Sequence, residues 1–233
     1  MSRDFDKLKR PNVPSTRAIE RLSSIQNAAR LNYSESFGME SLEKFLPRNW
    51  GNNLRYARTY NHSKTTAKAA KTISSRIRGM NSDQAYVYGL MHDVGKFYLT
   101  PQDSYKHPRL GYELLKENYY DIAEICISHA FPDFNSLDYI LSYCRNDKTE
   151  ANKVFETLKT VVRNDYIDLI QLCDKLSGLD GYTTIESKFK WYVETRGVKL
   201  NDVSRNYLKN LQAIKAKFDD LSGKEVYALL GLT

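Results

Sequence analysis

Apolar residues return every three to four positions along nearly the whole chain, and only six prolines interrupt 233 residues. That period buries one stripe of a segment when the segment is an α-helix, so the pattern confines the chain to an all-α fold. Four of the prolines, Pro11, Pro14, Pro47 and Pro108, stand where a helix has yet to begin or is just starting. Residues 1–15 carry two prolines and many charges and read as a loosely held lead-in. From Ser15 or Thr16 to about Leu31, the set Ile19, Leu22, Ile25 and Ala29 predicts a helix, and a short one follows over roughly Ser41 to Leu46.

A longer helix is expected from about Leu54 to Arg78, with Ala57, Ala69, Ile73 and Ile77 inward and Gly79 as its left-handed terminator. Asn81-Ser-Asp83 then offers a cap and a first-turn acid to a helix bearing Ala85, Gly89 and His92. Pro108 suits the first turn of the next helix. Ile122, Ile125, Cys126 and His129 share a face, as do Ile167, Ile170 and Asp174. Between them, residues 137–162 read as helix broken near Arg145-Asn-Asp-Lys148, while Thr183 and Thr184 give a strand signal too short for a sheet. The tail, about Val203 to Leu221, repeats Tyr207, Leu211, Ile214 and Phe218 and should pack on the core.

A hydrophobic content of 41% supplies one sizeable core, so a single domain over 1–233 is expected, with a motif-bearing part at about 55–180 and helical flanks at 15–54 and 185–233. No run of eighteen apolar residues exists to span a bilayer. The N-terminus lacks the apolar stretch of a secretory signal, and three widely spaced cysteines, Cys126, Cys144 and Cys173, fit a reducing cytoplasm. The net charge of +7 favours an anionic partner, yet Lys and Arg are spread along the chain. That spread argues for a phosphorylated small molecule at least as well as for nucleic acid.

The chain has four histidines, and each stands in a setting that suits a ligand. His92 and Asp93 are adjacent in Gly89-Leu-Met-His-Asp-Val-Gly-Lys96. Neighbours on a helix point about 100° apart, so both can face one ion only if the carboxylate reaches sideways, which its two oxygens allow. His62 lies seven and eleven residues before Ala69 and Ile73, on the same helix face. His129 and Asp174 sit on apolar stripes, where an ionised carboxylate is costly without a partner. A divalent ion shared with imidazoles accounts for these placements together. His107 alone would serve equally as a helix cap before Pro108.

The order of a lone His62, then His92-Asp93, then a distant Asp174 resembles the HD-domain superfamily, and His107 and His129 match that family's extended two-metal pattern. The resemblance covers about residues 55–180. It implies a helical bundle in which His62, His92, Asp93 and Asp174 hold one metal while Asp93, His107 and His129 hold a second. It also implies hydrolysis, by metal-bound hydroxide, of a phosphoester or phosphoanhydride bond in a nucleotide or other small phosphorylated metabolite. Asp93 and Lys96 are the expected catalytic residues; Lys96, one turn after His92 and on the same helix edge, and Arg109 are expected on the substrate. Imidazole-rich ligation points to Fe or Mn, with Zn, Ni, Co or Mg as other occupants. After His129 the chain reads Ala-Phe-Pro-Asp-Phe-Asn, without the adjacent His or the Gly-Tyr-Pro triplet of cyclic di-GMP phosphodiesterases. The Glu-Asp pair of guanosine tetraphosphate hydrolases is missing too, and the pattern is similar to small bacterial HD hydrolases, including those that cleave diadenosine tetraphosphate. Two rival readings are a di-iron oxygenase on the same scaffold and a non-enzymatic regulatory or nucleic-acid-binding helical protein.

Overall fold

The computed structural model describes residues 33–47, 50–178 and 181–232; the helix expected over 16–31 and the lead-in before it lie outside them. Among the described residues the structure is helical with no strand: α1 (Glu35–Glu43), α2 (Leu54–Ser74), α3 (Ser82–Met91), α4 (His107–Leu115), α5 (Tyr120–Ser128), α6 (Leu137–Tyr143), α7 (Lys148–Leu158), α8 (Asp165–Leu176), α9 (Ile185–Arg196), α10 (Asp202–Ser222) and α11 (Val226–Leu229). Short 3-10 turns span Val94–Tyr98 and Ser104–Lys106. No described helix is long and apolar enough to cross a membrane.

Side-chain caps set most starts. Ser34, Asn53, Asn81, Ser136, Asp147, Asn164, Thr184 and Asn201 each accept a backbone N–H from the first turn, satisfying a donor that the helix leaves open. The Ser34 cap places α1 earlier than the expected 41–46. The break near 145–148 is present, with Arg145 and Asn146 both at positive φ, 54° and 64°. Thr183 and Thr184 form no strand: an isolated bridge joins Ser177 to Tyr182, and Thr184 instead caps α9.

α2 ends four residues before the expected Arg78. The Ser74 hydroxyl turns back onto the Ala70 carbonyl, and the amides of Arg76 and Ile77 bond three residues back, winding the chain into tight turns. Gly79 is left-handed, at φ +90°, but it closes that turn and not the helix. Ala69, Ile73 and Ile77 are buried as expected, whereas Ala57 is only half-buried.

The centre of the bundle is α8, which packs on α2, α3, α5, α9 and α10. Every residue from Ile167 to Leu176 is buried, so beyond its first two residues α8 has no solvent face, more than its expected single stripe. Two glycines let its neighbours close up. A Cβ at Gly89 of α3 would come within 2.7 Å of Ala67 Cα in α2, and one at Gly95 would overlap the His107 carbonyl oxygen and sit 2.8 Å from Gly111 N. These glycines flank His92-Asp93 and press that segment onto α2 on one side and the start of α4 on the other.

The Gly95→Ala variant should therefore lose about 2–3 kcal/mol of stability in chemical denaturation, because backbone must move to admit the methyl group. Gly51→Ala, where nothing lies within 4 Å of the added carbon, should change stability by less than about 0.5 kcal/mol. Equal stabilities for the two variants would show that the close approach at Gly95 constrains nothing.

Candidate metal centre

Three of the four histidines stand at helix ends, and that position orients them. His92 follows the last residue of α3, His129 follows the last residue of α5, and His107 follows the 3-10 turn Ser104–Lys106. The last carbonyls of a helix have no intrahelical partner. In each case the ring Nδ1 donates to the carbonyl three residues earlier: His92 to Gly89 O at 2.7 Å, His107 to Ser104 O at 2.7 Å and His129 to Cys126 O at 2.8 Å. A carbonyl can only accept, so the proton is on Nδ1 and the Nε2 lone pair is turned inward.

The four rings form a continuous run, His62–His92–His129–His107, with successive centroids 5.4, 4.9 and 5.1 Å apart. Asp93 lies in their midst and is fully buried. Its φ and ψ of −103° and 10° fall between the end of α3 and the 3-10 turn that follows. This departure from helix geometry is a correction to the sequence reading, which kept His92, Asp93 and Lys96 on one helix. Because α3 stops at Met91, Asp93 swings to the same side as His92. Its oxygens are divided: Oδ1 is 3.0 Å from His107 Nε2 and 3.5 Å from His129 Nε2, while Oδ2 is 3.4 Å from His92 Nε2 and 3.7 Å from His62 Nε2.

Asp174, in the last turn of α8, closes the other side. Its Oδ1 is 2.9 Å from His62 Nε2 and 3.8 Å from His92 Nε2. Gln171, one turn earlier and fully buried, donates to the carbonyls of Ser128 and Phe131, both at 2.9 Å, and so ties α8 to the chain on either side of His129. All six residues expected at the site are thus brought together. Three overlapping sets have donor atoms within 4.8 Å of one another: His62, His92 and Asp93; His92, His129 and Asp174; Asp93, His107 and His129.

The donor set fits a cation. His92 Nε2 and Asp93 Oδ1 are buried and receive no hydrogen bond, an expensive state for polar atoms unless something else coordinates them. His107 Nε2 and His129 Nε2 face each other at 3.1 Å with both Nδ1 protons already committed elsewhere, so two lone pairs oppose one another. Burial pushes the His107 imidazole down to about 3 and also lowers His129 and His62, which keeps these rings neutral and able to ligate. His92 differs: burial opposes its charge, but the carboxylates of Asp93 and Asp174 together outweigh burial and raise it. Burial likewise works against ionised Asp93 and Asp174, yet His92 and Lys96 beside Asp93, and Lys175 beside Asp174, hold both carboxyls well below their usual range.

Lys96 donates to Asp93 Oδ2 from the 3-10 turn, not from a helix edge as expected. Arg109 is not brought to the cluster: its Nε donates to the buried Glu150 carboxylate at 2.8 Å, fastening α4 to α7. Sequence reasoning missed Lys175, whose Nζ is 2.6 Å from Asp174 Oδ2. On a helix buried all round, no alternation of polar and apolar positions marks such a residue. Tyr143 went unnoticed too; its ring centroid is 6.4 Å from that of His107.

Titrating the metal-free protein with Mn²⁺ should raise the melting temperature by about 5–10 °C at a hundredfold excess over the dissociation constant. Asp93→Asn should abolish that rise, since two of the three sets lose their anionic Asp93 oxygen. A wild-type melting temperature indifferent to Mn²⁺, Fe²⁺ and Zn²⁺ would contradict this account of the cluster.

A search of solved structures finds none that matches this chain. The family model described as HD domain matches residues 59–179, just over half of the 233 residues, and that span holds all six clustered side chains. An all-α bundle carrying a lone His62, adjacent His92-Asp93 and a distant Asp174 around one buried centre agrees with that match, and the chain belongs to the HD-domain family.

Proposed function

We propose that the chain is a metal-dependent hydrolase that cleaves a phosphoester or phosphoanhydride bond in a nucleotide or another small phosphorylated metabolite. The observation that carries this reading is the divided carboxylate of Asp93, with one oxygen toward His107 and His129 and the other toward His92 and His62. A carboxylate so placed suits two cations, one with His62, His92 and Asp174 and the other with His107 and His129. Four imidazoles favour Fe or Mn, with Zn, Ni or Co as substitutes and Mg less well matched. When bound, such ions polarise a phosphoryl oxygen and lower the pKa of a water molecule toward neutrality.

The chain's own residues do the rest. His92, Asp93, His107, His129 and Asp174 are all buried, whereas the His62 and Lys96 side chains keep 19% and 28% of their surface exposed. Substrate therefore approaches over His62 and Lys96, and the opposite wall excludes water. Lys96 holds an ammonium group at that opening, against Asp93, where a phosphoryl oxygen arriving at the centre would meet it. Its charge offsets the negative charge that gathers on the equatorial oxygens as the bond to phosphorus breaks.

The test is a panel of mononucleotides, cyclic nucleotides and dinucleoside polyphosphates, offered to protein loaded with Mn²⁺ or Fe²⁺. At least one should be turned over. His92→Ala should abolish that activity and Lys96→Ala should lower kcat/KM about a hundredfold. Absence of metal-dependent turnover on every member, or turnover that survives His92→Ala, would overturn the proposal; oxygen consumption by the iron form would favour the oxygenase chemistry instead.

A further inference from the structure

The family match begins at residue 59, and α2 begins before it, at Leu54. That leading turn nevertheless touches the opening of the metal centre through Arg55. One guanidinium N–H donates to the Lys96 carbonyl at 3.2 Å and another to the Leu99 carbonyl. Tyr56, beside Arg55, packs on the buried Phe97, with ring centroids 6.0 Å apart. Arg55 also stands seven residues before His62, two helical turns, and so shares its face of α2. The helix that bears His62 and the turn that bears Lys96 are thereby joined at the rim where substrate would enter.

Neither helix stability nor charge pairing accounts for an arginine here. The first turn of α2 holds no acidic residue, and a cation at a helix N-terminus opposes the dipole. Among the described residues Arg55 pairs with no carboxylate; its two partners are backbone carbonyls. They lie at the far end of the 3-10 turn Val94–Tyr98, and a turn of this kind leaves its last carbonyls without internal partners. A guanidinium is a rigid planar fork that can hold both at once, whereas an ammonium group on a flexible stem is a single point of attachment. One of the two carbonyls belongs to Lys96 itself, so the clasp fixes the backbone of the residue whose ammonium group pairs with Asp93.

We propose that Arg55 is a positioning residue, contributed from outside the family match, that sets the Lys96 ammonium group where it meets a phosphoryl oxygen at the metal centre. Arg55 itself stays on the backbone carbonyls and acts only through Lys96. The role given to Lys96 rests on the phosphohydrolase reading, but the test of Arg55 involves no turnover.

Orthophosphate binding to the full Mn²⁺-loaded chain, measured by calorimetry, is compared across wild type, Lys96→Ala, Arg55→Met and the double variant. Lys96→Ala should lower the affinity about tenfold and Arg55→Met about fivefold. The double variant should bind within about twofold of Lys96→Ala alone, because a residue that acts through Lys96 has nothing left to position once the ammonium group is gone. Mn²⁺ stoichiometry should be the same in all four, and Lys68→Met, which removes an exposed cation from the same helix, should bind as wild type. If Arg55→Met fails to fold, Arg55→Lys should lose about threefold in the wild-type background and nothing in the Lys96→Ala background. Losses that multiply in the double variant, phosphate affinity indifferent to Arg55, or a wild type that binds no orthophosphate would each overturn the assignment. Non-additive binding without turnover of any phosphoester would leave the role of Arg55 standing and remove the hydrolase reading.

Discussion

The structure is organised around a carboxylate that water does not reach. Asp93 is fully buried, and an ionised carboxylate in such a place costs several kcal/mol unless cations and donors surround it. Around it stand four imidazoles and an ammonium group, with a second carboxylate just beyond them. With Lys96 and Lys175 as the fixed cations that touch the two acids among the described residues, charge is roughly balanced, but coordination is not: His92 Nε2 and Asp93 Oδ1 are left without partners. A divalent ion held among these donors would make up that deficit.

The fold supplies this environment through helix ends. Three helical segments stop at the centre, and each uses a terminal carbonyl to hold an imidazole by its Nδ1. The device makes ligand orientation a property of secondary structure, so no separate carboxylate is required behind each ring. Close packing then sets the spacing: Gly89 lets α3 lie against α2, Gly95 lets the segment after Asp93 lie against α4, and Gln171 of α8 braces the chain beside His129. Burial, helix termination and ring orientation are here a single structural fact.

The clustered residues were legible because imidazoles are few and each fell on or beside an apolar stripe. The start of α3 was legible from its Asn81 cap, whereas the caps at Ser34 and Thr184 went unread. The aim of Asp93 was not, since periodicity alone extends α3 through Lys96, while the chain leaves the helix at Met91 to fit Gly95 under α4. Lys175 escaped because the stretch Ile167–Leu176 is buried throughout and has no polar face to break the pattern. Arg109 follows His107 closely in sequence, but its guanidinium answers the buried Glu150 of α7, a long-range partner that local spacing does not reveal.

Anomalous diffraction from crystals grown with Mn²⁺ tests the central claim most directly. It should show two peaks on either side of the Asp93 carboxylate, one against His62, His92 and Asp174 and the other against His107 and His129. Manganese bound only at the protein surface, with the six side chains still in mutual contact and no peak among them, would contradict it.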